Sequence, residues 1–324
     1  MEFTGPAVRD DRNALLDACR LAAAAAIVWM HTWGYSAIPQ IGEAGRFGVP
    51  FFAASAMFLM TSGLMANPRR AFVPYALRRF YRIYLPFLAW SIIGLVVLDA
   101  HRALSHRPIV NLRPFNLYLG STMQLWFLPF LLGISLILFV PVREATRHPW
   151  IAVAIAVLAG ALCAVRSGIG LDPGATDTNW FAFVGFLQYS LFAMPAIFWG
   201  IAAAFLFDQI RRPLLGWVGL AIWFVCLCVV IRGPRNALME NLAGVGLLVA
   251  CLNFGPISAG FGKYAFLAYG IYLSHAVFLE TIQGALHRWS GPAGTFLIFF
   301  ATLALSVACS MALHRSSRTR WMLG

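Results

Sequence analysis

Long apolar runs, interrupted at short intervals by Arg, Gly and Pro, set the organisation of this 324-residue chain. A helix needs roughly 20 predominantly apolar residues to cross a bilayer. Runs of about that length predict ten spans, near 18–38, 47–66, 82–99, 122–140, 149–165, 181–206, 214–231, 238–254, 265–284 and 293–313. The links carry breakers and charge, as in Asn67-Pro68-Arg69-Arg70, Pro141-Val142-Arg143-Glu144 and Arg211-Arg212-Pro213. None is long enough for a second folded unit. The expected fold is an all-α integral membrane protein, one domain over 1–324 with about ten transmembrane helices in a single bundle. A short polar segment, 1–17, precedes it and a tail, 314–324, follows.

Composition agrees with that pattern. Hydrophobic residues make up 60% of the chain and charged residues 11%, with a mean hydropathy of +0.76. A soluble domain carries about 25% charged residues to cover its surface, so the solvent of this chain is largely lipid. The net charge is +12, and Lys263 is the one lysine among the basic residues. These residues fall between apolar runs and form no basic arm, so nucleic acid is not an expected partner. Ten spans put both termini on one side. With the termini in the cytoplasm, sixteen basic residues lie inside and eight outside, the sense of the positive-inside rule. The expectation is a multi-pass protein of the cell inner (plasma) membrane with both termini cytoplasmic. The six cysteines have no metal-ligand spacing and read as small membrane-core residues, and no metal is expected.

Ionisable residues within spans are costly and mark candidate sites. In the first span Arg20 and His31 are eleven positions apart, close to three full turns, so they share one helix face about 16 Å apart along the axis. Asp17 precedes Arg20 by three residues, within ion-pair reach. The alanines between Arg20 and His31 predict a shallow face along which something thin can lie. An arginine at an interface also snorkels, and a buried histidine also bonds neighbouring helices. Span three opens with Leu77-Arg78-Arg79-Phe80-Tyr81-Arg82-Ile83-Tyr84-Leu85-Pro86. Arg79 and Arg82 have the i, i+3 spacing of a shared face, level with Arg20, and their fixed forks suit phosphate. Pro86 cannot donate to the Arg82 carbonyl, which predicts a kink just inside the membrane. His275 falls mid-span in the ninth run; Trp29, Trp33, Tyr35 and Trp126 fall near the outer mouth, where aromatics stack on sugars or form an interfacial belt. The other histidines, His101, His106, His148, His287 and His314, fall in loops or at span ends and read as solvated.

These residues resemble a known family. Arg20-x10-His31 is similar to the R-x10-H signature of the acyltransferase-3 membrane family, and Arg79-Phe-Tyr-Arg82 to its RxxR motif. Val49-Pro-Phe-Phe-Ala-Ala-Ser55-Ala56 resembles a V-P-x-F-F-x-x-S-G stretch of the second helix, with Ala56 where the family usually has Gly. Gln124-Leu-Trp126-Phe-Leu resembles an L-W-F-L stretch, and Gly270-Ile-Tyr272-Leu-Ser-His275 an I-Y-L-x-H stretch. The resemblance spans about residues 12–313. Ala56 predicts a looser backbone approach at its turn of helix two.

The resemblance implies acyl transfer from cytoplasmic acyl-coenzyme A, with acetyl-coenzyme A the first expectation, to a hydroxyl of an extracytoplasmic or lipid-linked glycan, as in polysaccharide O-acetyltransferases. Arg20, Arg79 and Arg82 would hold the coenzyme A phosphates, and His31 would be the general base. His275, Trp126 and Tyr272 are candidates for substrate binding, and Asp17 and Ser55 for structural support. The expected partners are the saccharide acceptor, membrane lipid, and proteins of polysaccharide assembly or export. A secondary transporter or flippase also carries buried Arg and His, but the polar motifs cluster in the first third without symmetric halves. A scaffolding membrane protein would not need Arg20 and His31 on one face.

Overall fold

The computed structural model describes residues 14–33, 38–104, 114–167, 178–210, 212–233, 236–254, 264–285 and 291–324. Among these the chain is helical, with no strand. Helix α1 is Ala14–Trp33, followed by a 3-10 segment, Pro39–Gly45, that leads into α2, Gly48–Ala66. Then α3, Phe72–Arg79, runs through a π-turn, Phe80–Tyr84, into α4, Leu85–Leu104. A short α5, Asn116–Leu119, precedes α6, Phe127–Ile137, and α7, Phe139–Ala145. The remaining helices are α8, Pro149–Ser167; α9, Thr178–Ile210; α10, Pro213–Arg232; α11, Ala237–Asn253; α12, Ala265–Ala285; and α13, Pro292–Arg315. A 3-10 turn, Arg320–Leu323, ends the chain.

Eight described helices are long and apolar enough to cross a membrane, and the pair α6–α7 makes a ninth. Helix α11, 17 residues long, occupies the eighth expected run. The expected bundle of apolar helices is therefore the observed one. Among the long spans α2, α9 and α12 are the most buried, while α8, α10 and α13 turn most of their surface outward, where lipid would cover it.

Three prolines interrupt the backbone hydrogen bonding of the spans. Pro141 cannot donate to the Ile137 carbonyl, and the helix breaks there by 46° between α6 and α7. Pro86 has the same effect on the Arg82 carbonyl, and the kink expected near it takes the form of the π-turn Phe80–Tyr84. The carbonyls freed at that turn are not left bare. Tyr269 donates to the Ile83 carbonyl at 3.3 Å, and Gly324 lies against the Arg82 carbonyl. Pro195 interrupts α9, and the buried Asn241 of α11 fills the gap. Its Nδ2 donates to the Phe192 carbonyl at 2.8 Å, and its Oδ1 accepts from the Ala196 amide at 3.0 Å.

The shallow alanine face expected on α1 is not open. Ala23 and Ala24 have no exposure and Ile27 almost none. Ala24 packs with Leu267, Ala268, Ile271 and Phe299 of α12 and α13. On the neighbouring side the 3-10 segment lies so close that a side chain at Gly45 would strike the Ala26 carbonyl. The groove predicted from small residues is instead the place where backbones approach. The looseness expected at Ala56 is also not seen. Ala56 is buried, and α2 is met closely at Ala54 by Gly200 and at Phe51 by Gly244.

Candidate active site

A cavity of about 1000 Å³ opens at one end of the bundle. The last turns of α1 contribute Met30 and His31, the run-up to α2 contributes Arg46, and the segment before α6 contributes Ser121, Thr122, Gln124 and Trp126. Gln188 and Tyr189 come from α9, Glu240 from the start of α11, and Tyr272 and Glu280 from α12. Polar side chains from six segments thus converge in the apolar bundle. Large pockets lined by apolar and aromatic groups with a few convergent polar ones are the usual form of a small-molecule site.

His31 lies beside His275. The two imidazole rings are 5.6 Å apart between centroids and inclined by 24°. His275 has no exposure. Its Nδ1 faces two carbonyl oxygens, Tyr272 at 2.7 Å and Ile271 at 3.2 Å. Carbonyls only accept, so in the neutral ring Nδ1 carries the proton and donates, and Nε2 keeps the lone pair. That Nε2 is buried and makes no hydrogen bond to a described residue.

Tyr272 donates its phenol to the Gln124 carbonyl at 2.8 Å, tying α12 to the segment before α6. Trp126, two residues on, stacks against Tyr189 at 5.3 Å and 27°. Both expected substrate-binding aromatics, Trp126 and Tyr272, therefore line the cavity. Trp29 and Trp33 do not. Trp29 donates to the Ile41 carbonyl at 2.9 Å, and both pack edge-on against Phe296 of α13. They serve helix packing, because the face of α1 they occupy is turned towards α13. Tyr35, His101, His106 and His287 lie outside the residues whose side chains are described. His148 is exposed, as expected, whereas His314 stacks on Phe266 at 3.8 Å instead of being solvated.

The arginines sit at the other end. Arg20 occupies the second turn of α1, with Asp17 at 3.9 Å, the pair its spacing predicts. Arg79 donates from Nε to the Tyr75 phenol at 3.1 Å, and its guanidinium lies over the Tyr75 ring at 5.4 Å. Arg82 donates from Nε to the Gly324 carbonyl at 3.4 Å. The shared α-helical face expected for Arg79 and Arg82 is not what holds them, because the π-turn intervenes and each has its own partner. Gly324 lies against both the Arg82 carbonyl and the ring of Tyr269 of α12, so α12 and the tail meet at this turn. The tail packs here as well, with Trp90 donating to the Met322 carbonyl at 3.2 Å. Ser55 is buried in α2 and donates to the Phe52 carbonyl at 3.1 Å, a local helix bond.

Sequence reasoning missed Arg46, Glu240, Gln188, Tyr189 and Glu280. Arg46 faces Glu43 three residues before it and Glu240 at 4.0 Å across the cavity wall. Glu240 is 2% exposed, an acidic side chain within an apolar run, and that was a readable signal. The family model described as an acyltransferase domain, of the acyltransferase-3 type, matches residues 13–315. No curated protein and no solved structure matches the chain.

Proposed function

This chain belongs to the acyltransferase-3 family, and from that premise we propose that it moves an acetyl group from cytoplasmic acetyl-coenzyme A to a hydroxyl of an extracytoplasmic or lipid-linked glycan. The observation that carries this reading is the division of the bundle into two ends. Arg20 lies near the start of α1 and Arg79 and Arg82 just before α4, at one end of the bundle, and His31 opens into a large cavity with convergent polar groups at the other.

In this reading the arginine end faces the cytoplasm and takes the phosphates of coenzyme A. Guanidinium forks bind phosphate bidentately, and Tyr75 and Gly324 hold two of them in place. The pantetheine arm passes between α1 and α12 towards His31. Their contact there is made partly by alanines, Ala24 and Ala268, so the arm has to part a closed seam of small side chains. The acceptor enters the cavity from the opposite side. Trp126 and Tyr189 offer a stacked aromatic surface to a sugar ring, and Gln124, Gln188 and Glu280 offer hydrogen bonds.

His31 takes the proton from the acceptor hydroxyl as the oxygen attacks the thioester carbon. His275 keeps the His31 ring in place by stacking and offers a lone pair at Nε2. The termini then lie in the cytoplasm of a cell with the protein in its inner membrane, and proteins of polysaccharide assembly or export would supply or receive the glycan.

The test is mass spectrometry of surface glycan from cells with and without the gene. The reading predicts acetyl esters that vanish with the gene and return with the wild-type protein. Identical ester content in both strains would refute it.

A further inference from the structure

Arg46 is the one arginine or lysine among the described residues that line the cavity. Its backbone is fixed beside His31. The preceding Gly45 lies against Ala26 and Met30, so closely that any side chain at position 45 would strike the Ala26 carbonyl. The Trp29 indole donates to the Ile41 carbonyl of the same segment. Gly48, on the other flank, would place a Cβ 2.7 Å from Ile27. The segment carrying Arg46 is thus anchored along the last three turns of α1, the turns that end in His31.

The guanidinium is held from two directions. Nε faces Glu43, and one terminal nitrogen, Nη1, lies 4.0 Å from Glu240. A guanidinium carries five N–H donors, more than these two contacts take up. Burying Glu240 at 2% exposure is costly, and a cation locked between two carboxylates is a large outlay for a loop clamp alone. Donors fixed in advance around a developing negative charge are the arrangement that stabilises acyl-transfer transition states most, because nothing has to reorganise.

We propose that Arg46 is a further catalytic residue of the acyl transfer, donating from its guanidinium to the oxyanion that develops on the acyl carbonyl. This rests on the proposed function above. The acceptor oxygen bonds to the acyl carbon as its proton passes to His31. The carbonyl π pair moves onto the carbonyl oxygen, where Arg46 receives it. The pair then returns, the carbon–sulfur bond breaks, and the leaving thiolate takes the proton from His31. The products are an ester and a free thiol, and both histidine and arginine end as they began.

The experiment uses full-length protein in lipid nanodiscs, with acetyl-coenzyme A as donor and the surface glycan as acceptor. Three variants are compared with wild type: Arg46→Gln, Arg46→Lys, and Arg46→Gln combined with Glu240→Gln. Loss of one oxyanion donor lowers kcat by about a hundredfold or more. That loss is expected in Arg46→Gln and in the double variant, with KM for the donor within about threefold of wild type. The double variant also removes the buried carboxylate charge that Arg46 faces across the cavity wall, so its kcat separates chemistry from stability. Arg46→Lys keeps the charge but loses the planar fork, and its kcat should fall between wild type and Arg46→Gln. Recovery of kcat to near wild type in the double variant, or full activity in Arg46→Lys, would overturn the proposal and leave Arg46 a clamp between the loop and α11. If wild type transfers no acetyl group from acetyl-coenzyme A, the proposed function fails and this role with it.

Discussion

The imidazoles of His31 on α1 and His275 on α12 lie face to face, 5.6 Å apart, and the His275 Nδ1 is tied to its own helix by the Tyr272 and Ile271 carbonyls. That tie fixes the plane of the His275 ring, and stacking passes the constraint to His31. In the proposed reaction His275 would act through His31, as a positioning residue. His275→Phe keeps a flat ring for stacking but removes both nitrogens, and the expected result is partial loss of kcat, about tenfold, with donor KM unchanged. A variant as dead as His31→Ala would show that the His275 nitrogen takes part in proton transfer itself. The check is kcat and KM measured side by side for the two variants.

Arg79 and Arg82 give a graded prediction. A charge-assisted hydrogen bond contributes about 1.5–3 kcal/mol, so Arg79→Ala and Arg82→Ala should each weaken acetyl-coenzyme A binding by roughly ten- to a hundredfold. Arg82→Lys should fall between Ala and wild type, because the ammonium keeps the charge without the fork. Glycan affinity should not move. Direct titration of donor into solubilised protein measures this, and normal donor binding in both alanine variants would reduce these arginines to topology signals.

Asn241 carries the stability prediction. It bridges the helix gap at Pro195, bonding the Phe192 carbonyl, the Ala196 amide and the Ala237 carbonyl of its own helix at 2.7 Å. Asn241→Leu leaves a buried amide and carbonyl of α9 without partners, at about 2–4 kcal/mol in total. Thermal unfolding in detergent should shift down by several degrees. An unchanged midpoint would mean that α9 re-forms its ladder around Pro195 without help.

Much of this was legible in the chain. Apolar run length found most of the long helices, because lipid imposes a minimum length, but eight or nine described spans stand where ten runs were expected, and the third begins ten residues earlier, at Phe72. The Asp17–Arg20 pair followed from helical spacing alone. Pairings between distant segments were not legible. His31 and His275 are far apart in sequence, and neither helix pattern names the other. The alanine face of α1 was misread because small residues signal close backbone packing as readily as open space, and here Gly45 and α12 occupy it. Arg46 was counted as loop charge because its carboxylate partner Glu240 lies on a helix nearly two hundred residues on. The π-turn had a visible cause in Pro86, but proline marks a kink without specifying its form.

Orientation has its own test. The sixteen-to-eight division of basic residues predicts that reporters fused after Gly324 and within 171–179 report opposite sides of the membrane, with Gly324 cytoplasmic. Both reporters on one side would contradict the five crossings expected between these two positions.

The central claim is that His31 is the base that activates the acceptor. The direct measurement is transfer of labelled acetyl from acetyl-coenzyme A to surface glycan by purified His31→Ala protein in nanodiscs, with donor affinity determined on the same sample. A positioned general base contributes about a hundred- to ten-thousandfold. The account predicts a fall of that size with donor affinity near wild type, since the arginine end is untouched. Transfer at close to the wild-type rate would contradict it.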